Sequence, residues 1–99
     1  MSLNRYAKAR DANEREIIEA LEAQGCSVEQ IDRPMDLLVG FEDKEGRRRT
    51  LIFEVKMPKG KTTEGQDDFQ RTWKGDIVAV VRNVDEALTL IGCETRGVE

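Results

Sequence analysis

Two apolar strands joined by a glycine-ended loop constrain this chain more than any other feature in it. Residues 35–41 (MDLLVGF) and 48–56 (RRTLIFEVK) are separated by Asp43-Lys44-Glu45-Gly46-Arg47. A three-residue hairpin loop places its third residue in the left-handed region, where glycine is favoured. Lys44-Glu45-Gly46 fits such a loop. The implied register sets Asp43 against Arg47, Val39 against Leu51, Leu38 against Ile52, Leu37 against Phe53 and Asp36 against Glu54. Both faces of this hairpin are apolar, so both need covering. That requirement predicts a layered α/β domain, with helices or a partner subunit on each side.

The flanking segments supply the helices. Residues 12–24 read as an amphipathic helix with Ile17, Ile18, Ala20 and Leu21 on one stripe, ended by Gly25. Residues 26–31 form a short strand that Asp32-Arg33-Pro34 breaks. After Pro58-Lys59-Gly60-Lys61 a second helix runs over 63–74, capped by Thr62 or Thr63, carrying Phe69 and Trp73 at i,i+4 and ended by Gly75. Residues 76–81 are a continuous apolar run, read as a buried strand. Asn83 and Glu86 are a capping signal for a last short helix whose apolar side is Val84, Ala87, Leu88 and Ile91. The polar residues 1–10 lead into the first helix. The expected fold class is α/β with element order αβββαβα: a mixed central sheet flanked by helices, plus a short C-terminal helix. A chain of 99 residues has room for one domain, spanning 1–99.

Composition removes several function classes. No run approaches the ~18 apolar residues of a membrane span, and no charged start is followed by an apolar secretory segment. Cys26 and Cys93 are too few for a disulfide scaffold and are expected to pack as small hydrophobes. The expected compartment is a reducing cytoplasm. The chain has no histidine, which excludes Ser-His-Asp and Cys-His nucleophile chemistry and His-ligated zinc. Catalysis, if any, must run on carboxylates, lysine, hydroxyls or a metal held by oxygen. The formal net charge of −4 is unlike a generic nucleic-acid binder. Residues 44–61 depart from that average, with seven basic residues (Lys44, Arg47, Arg48, Arg49, Lys56, Lys59, Lys61) against Glu45 and Glu54. Attraction to phosphate would act locally there, while the acidic remainder repels DNA.

Asp36 and Glu54-Val55-Lys56 carry the chemistry. Residues i and i+2 of a strand share a face, so Glu54 and Lys56 point the same way, and the hairpin register brings Asp36 to them. Directly opposed side chains have Cβ atoms ~4.5–5.5 Å apart. Two carboxylates so placed repel each other unless a cation neutralises them. Mg²⁺ prefers one or two carboxylates plus waters and phosphate oxygens, and the Val55 carbonyl is a further oxygen donor. Lys56 beside such a cation could orient or help deprotonate a water. The plainer reading makes Glu54 and Lys56 a polar strand end, but the group interrupts otherwise apolar faces.

These residues resemble a small nuclease of the PD-(D/E)xK superfamily. The chain is most similar to the VRR-NUC (virus-type replication-repair nuclease) family and next to archaeal Holliday-junction resolvases, over about 12–88. Asn13-Glu14-Arg15-Glu16-Ile17-Ile18, with Leu21 and Gly25, resembles the resolvases' first helix, whose first Glu sits at the active site and matches Glu14. Asp36 matches the metal-binding Asp, and Glu54-Val55-Lys56 matches E-x-K. Lys59-Gly60-Lys61-Thr62-Thr63-Glu64-Gly65-Gln66 resembles the VRR-NUC pattern in which a Gln joins the site from the second helix. Trp73-Lys74-Gly75-Asp76 before the apolar strand also agrees. One departure is Met35, which stands between Pro34 and Asp36 where many members have Pro or Gly directly before the Asp.

The resemblance implies a restriction-endonuclease-like αβββαβ core and a Mg²⁺- or Mn²⁺-dependent endodeoxyribonuclease. It implies duplex or four-way-junction DNA as substrate, as in repair and recombination, ends with 5′-phosphate and 3′-hydroxyl, and a homodimer. Asp36, Glu54 and the Val55 carbonyl would hold metal; Lys56 would manage the water; Glu14 and Gln66 would support. Glu16 rivals Glu14, but ~200° separates them on a helix, and Glu14 shares the face of Ile17, Ile18 and Leu21. Gln66 is alternatively a capping-box residue with Thr63 as N-cap. Lys59 and Lys61, with Arg47, Arg48 and Arg49 at the hairpin tip, are the expected DNA-backbone contacts; solvated charge is the alternative for the Arg triplet. Phe69 and Trp73 read as core rather than as a base-stacking pair. A catalytically silent DNA-binding or protein-interaction module of the same fold is the competing function.

Overall fold

A computed structural model describes residues 10–92 of the chain. The element order is α1 (Glu14–Ala23), β1 (Ser27–Gln30), β2 (Leu37–Glu42), β3 (Arg48–Val55), α2 (Glu64–Thr72), β4 (Val78–Val81) and α3 (Val84–Leu90). The strands form one sheet in the order β1-β2-β3-β4. β1/β2 and β2/β3 are antiparallel and β3/β4 is parallel, so the sheet is mixed. A parallel pair needs a crossover, and the loop after β3 together with α2 provides it. The protein is a small α/β fold, as its periodicities predict. The leading segment 1–9 and Cys93 lie outside the described residues.

The hairpin forms in the expected register, with Leu37 opposite Phe53, Leu38 opposite Ile52 and Val39 opposite Leu51. Gly46 takes φ 80°, and the Asp43 N–H donates to the Arg47 carbonyl at 2.8 Å, closing the loop. The Asp43 carboxylate reinforces it by accepting from the backbone N–H of Glu45 and of Arg47. The ladder stops one residue short of the expected Asp36–Glu54 pair. The Asp36 N–H instead donates to the Phe53 carbonyl at 3.0 Å. The turn that contains the cis Arg33-Pro34 peptide ends just before this point.

One sheet face is sealed. Ile17 and Leu21 of α1 and Ala87 of α3 pack on Leu37, Val39, Leu51, Phe53, Val55 and Val81, with Cys26 in the same cluster. The other face is only partly covered. No residue of α2 is buried, and Leu38 and Trp73 remain 37% and 47% exposed. Of the cover expected on each side, helices or a partner subunit, helices supply it fully on one face. The Phe69–Trp73 pair, expected in the core, lies at this open side with ring centroids 5.2 Å apart and Trp73 exposed. A single amphipathic helix with few apolar residues cannot cover a whole sheet face.

Candidate active site

Three carboxylates are buried among the described residues: Glu14 at 2% exposure, Asp36 at 5% and Glu54 at 3%. A buried charge must be paired or hydrogen-bonded, and each of the three is. Glu14 extends the inward stripe of α1, while Glu16 is exposed. Its Oε2 accepts from Arg10 Nη1 at 3.1 Å and from Gln30 Nε2 at 3.0 Å. Asp36 lies just before β2. Its Oδ2 accepts the Val55 N–H at 2.8 Å, and its Oδ1 is 3.6 Å from Arg10 Nη1. Asp36 therefore binds the backbone one residue from Glu54 instead of opposing it in the ladder. A short carboxylate at a strand end takes the N–H that a continued ladder would have used.

Glu54 leaves β3 on the face opposite Phe53 and Val55. Its Oε2 accepts from Gln66 Nε2 at 2.7 Å and sits 3.4 Å from Lys56 Nζ. Gln66 forms the expected capping box and also touches Glu54. Its Oε1 accepts the Thr63 N–H at 2.9 Å, and its own N–H donates to Thr63 Oγ1 at 3.1 Å, a complete capping box. The free end of the same amide reaches Glu54. The capping geometry thus fixes the rotamer that the site contact needs.

The segment before α1 holds the site together, and its role has no local sequence signal. Arg10 also donates to the carbonyls of Asp36 and Ile31, both at 3.3 Å. Asp11 Oδ2 accepts the Met57 N–H at 3.0 Å. Asn13 precedes α1 yet makes no side-chain cap; its Nδ2 donates to the Lys56 and Arg82 carbonyls at 3.1 and 2.9 Å. Arg82 in turn donates to the Gly60 carbonyl at 2.9 Å, bracing the loop that carries Lys59 and Lys61. The backbone is close at Gly60, where a Cβ would come 3.3 Å from the Met57 carbonyl oxygen, a tight contact.

The basic residues divide. Lys59 and Lys61 are exposed on the loop that follows β3. Arg49 is not a free charge: it grips Asp76 through two 2.6 Å bonds and lies 3.5 Å from Asp43. These bonds hold the Asp76 carboxyl down at about 2 and raise the guanidinium further. Arg47 pairs with Asp43 and Glu45 at 3.1 and 3.3 Å. Arg48 is exposed at the hairpin tip, opposite Glu42. A cleft of about 670 Å³ opens beside Gln66, lined by Asp32, Arg33, Pro34, Thr63, Gly65 and Phe69.

The donor set is carboxylate and carbonyl oxygen, which suits a hard divalent cation. Among the described residues no three Asp, Glu or Cys side chains are drawn together tightly enough to hold a metal by themselves. Mg²⁺ needs only one or two carboxylates, its remaining ligands being waters and phosphate oxygens. The chemistry of Asp36, Glu54 and the Val55 carbonyl therefore fits such an ion. Comparison with protein-family models, curated proteins and solved structures found no match for this chain.

Proposed function

We propose that the protein is a metal-dependent DNA endonuclease with a restriction-endonuclease-like core, resembling the VRR-NUC family and acting on branched or junction DNA. The observation that carries this reading is the buried pair Asp36 and Glu54 at one end of the sheet, with the half-buried Lys56 and Gln66 on Glu54. Asp36 and Glu54, with the Val55 carbonyl, would hold Mg²⁺ or Mn²⁺. When bound, the ion would polarise the phosphodiester and lower the pKa of an attacking water. Lys56, 18% exposed at its side chain, can hold that water in line and take part in moving its proton. Gln66 fixes the Glu54 carboxylate, and Glu14 supports the site from α1. Lys59, Lys61 and Arg48 are left to meet the DNA backbone, whereas Arg47 and Arg49 serve the hairpin and the sheet. A homodimer would suit a symmetric four-way junction, and the half-open sheet face is surface that a second copy can cover.

The test is incubation of labelled four-way junctions, flaps and plain duplex with Mg²⁺ or Mn²⁺. Cleavage by the wild type, lost in Glu54→Ala and Lys56→Ala, is expected. Equal products from all three proteins would refute the assignment.

A second reading has its own observation. Each carboxylate is already matched by protein groups, Glu14 and Asp36 by Arg10 and Glu54 by Lys56 and Gln66. Such a set would serve a catalytically silent DNA-binding or protein-interaction module. It predicts melting temperatures indifferent to Mn²⁺ and no heat in a Mn²⁺ titration.

A further inference from the structure

The guanidinium of Arg10 stands between Glu14 and Asp36, and Asp36 is a carboxylate that the proposed metal would also need. Nη1 lies 3.1 Å from Glu14 Oε2 and 3.6 Å from Asp36 Oδ1, within ion-pair range of both carboxylates at once. The two carboxylates are almost wholly enclosed, at 3% and 7% side-chain exposure, while Arg10 keeps 23%. We propose that Arg10 is a tethered counter-cation that holds this part of the site in the metal-free protein and must be displaced before a divalent ion can load.

The tether is built on both sides of the guanidinium. The Asp36 and Ile31 carbonyls and Asp32 Oδ1 accept from it at 3.3, 3.3 and 3.4 Å, so Arg10 is seated by hydrogen bonds as well as by charge. The residues that follow it are pinned to the far side of the site, Asp11 by the Met57 N–H and Asn13 by the Lys56 and Arg82 carbonyls. Arg10 itself precedes α1 and borders an open pocket of about 280 Å³, together with Asp11, Glu14, Arg15 and Gln30. Its side chain therefore has room to swing outward without unwinding the helix.

The energetics make the two cations exclusive. A buried carboxylate is stable only while something compensates its charge. Either the guanidinium or a divalent ion can do so for Asp36, but both held at ion-pair distance repel each other strongly. Arg10 and the metal are then linked by a negative coupling. Removing the arginine charge should tighten metal binding by a factor in the usual range for coupled sites, ~5–150-fold. Arg10 would thus set the free metal concentration at which the site loads. This inference rests on the nuclease reading above, since it concerns the regulation of that same site.

The experiment is calorimetric titration of the full chain with MnCl₂, with thermal melts recorded in parallel. The wild type, Arg10→Gln, Arg10→Lys and, as a site control, Asp36→Asn are compared. Arg10→Gln should bind Mn²⁺ about 10-fold more tightly than the wild type. It should also melt lower without metal and gain more from added Mn²⁺. Arg10→Lys, whose ammonium makes fewer of these bonds, should fall between the two. Asp36→Asn should bind weakly or not at all. Wild-type binding with equal or weaker binding by Arg10→Gln overturns the competition while leaving the metal site standing. No Mn²⁺ uptake by the wild type or by either Arg10 variant overturns both. If Arg10→Gln fails to fold, Arg10→Lys decides: unchanged or weaker Mn²⁺ binding rejects the proposal.

Discussion

Gln66 uses both ends of its amide, and the two uses can be separated by substitution. Its oxygen completes the capping box with Thr63, and its nitrogen holds Glu54 at 2.7 Å. Gln66→Glu keeps an acceptor for the Thr63 N–H but replaces the donor to Glu54 with a second carboxylate. A hydrogen bond to a charged group contributes ~1.5–3 kcal/mol. Denaturant unfolding should therefore show Gln66→Glu less stable by about 2 kcal/mol at neutral pH, and more of the loss should be recovered at low pH, where carboxylates protonate. A variant as stable as the wild type would mean that the contact contributes nothing. The capping role was legible from the Thr63-x-x-Gln66 spacing alone. Glu14 could also be read, because it continues the apolar stripe of its helix. Arg10, Asp11 and Asn13 could not: their partners are Asp36, Met57, Lys56 and Arg82, far along the chain.

At the scale of elements, the β2–β3 hairpin and the β3–β4 junction are held by different means. The hairpin depends on one backbone conformation, Gly46 at φ 80°. An L-residue pays ~1–2 kcal/mol to enter the left-handed region. Gly46→Ala, which has no steric neighbour within 4 Å, should lower unfolding free energy by about 1 kcal/mol through this conformation alone. The β3–β4 junction is clamped by Arg49 on Asp76. The side-chain bond from Arg49 is the main cause of the low Asp76 pKa, about 2 against an ordinary 3.8. A carboxyl depressed on folding stabilises the protein above its unfolded pKa, and that contribution is lost as pH falls. The wild type should accordingly lose melting temperature between about pH 4 and pH 2. Asp76→Asn should start lower and fall less over the same window. Parallel slopes would show that the clamp does not act through this carboxyl. Arg47 finds its partners Asp43 and Glu45 within the hairpin loop, whereas the Asp76 partner of Arg49 depended on how β4 docks.

At the scale of the whole molecule, the sheet is sealed by α1 and α3 on one face and left half open on the other. The apolar patterning of β2 and β3 predicted that both faces need cover. It did not say that α2 would bury none of its residues. Leu38 and Trp73 therefore stand at the surface. If a second copy covers this face, light scattering should give twice the 11.3 kDa chain mass, and Leu38→Glu should shift it to the monomer. A monomer mass for the wild type would count against a two-fold junction-cutting assembly.

By itself the sequence determined the kinds of elements, their order, the hairpin register and the cap of α2. These follow from side-chain period, glycine conformation and hydrogen bonds that span three or four residues. The tertiary structure alone decided that Asp36 would clasp the Val55 N–H instead of pairing across the ladder. It also decided that Asp76 would absorb the charge of Arg49, and that Arg10 would lie between two buried carboxylates. Apart from the i,i+4 pair of Arg10 with Glu14, those contacts join residues brought together only when the chain closes on itself, and burial is what obliges a charge to find its partner.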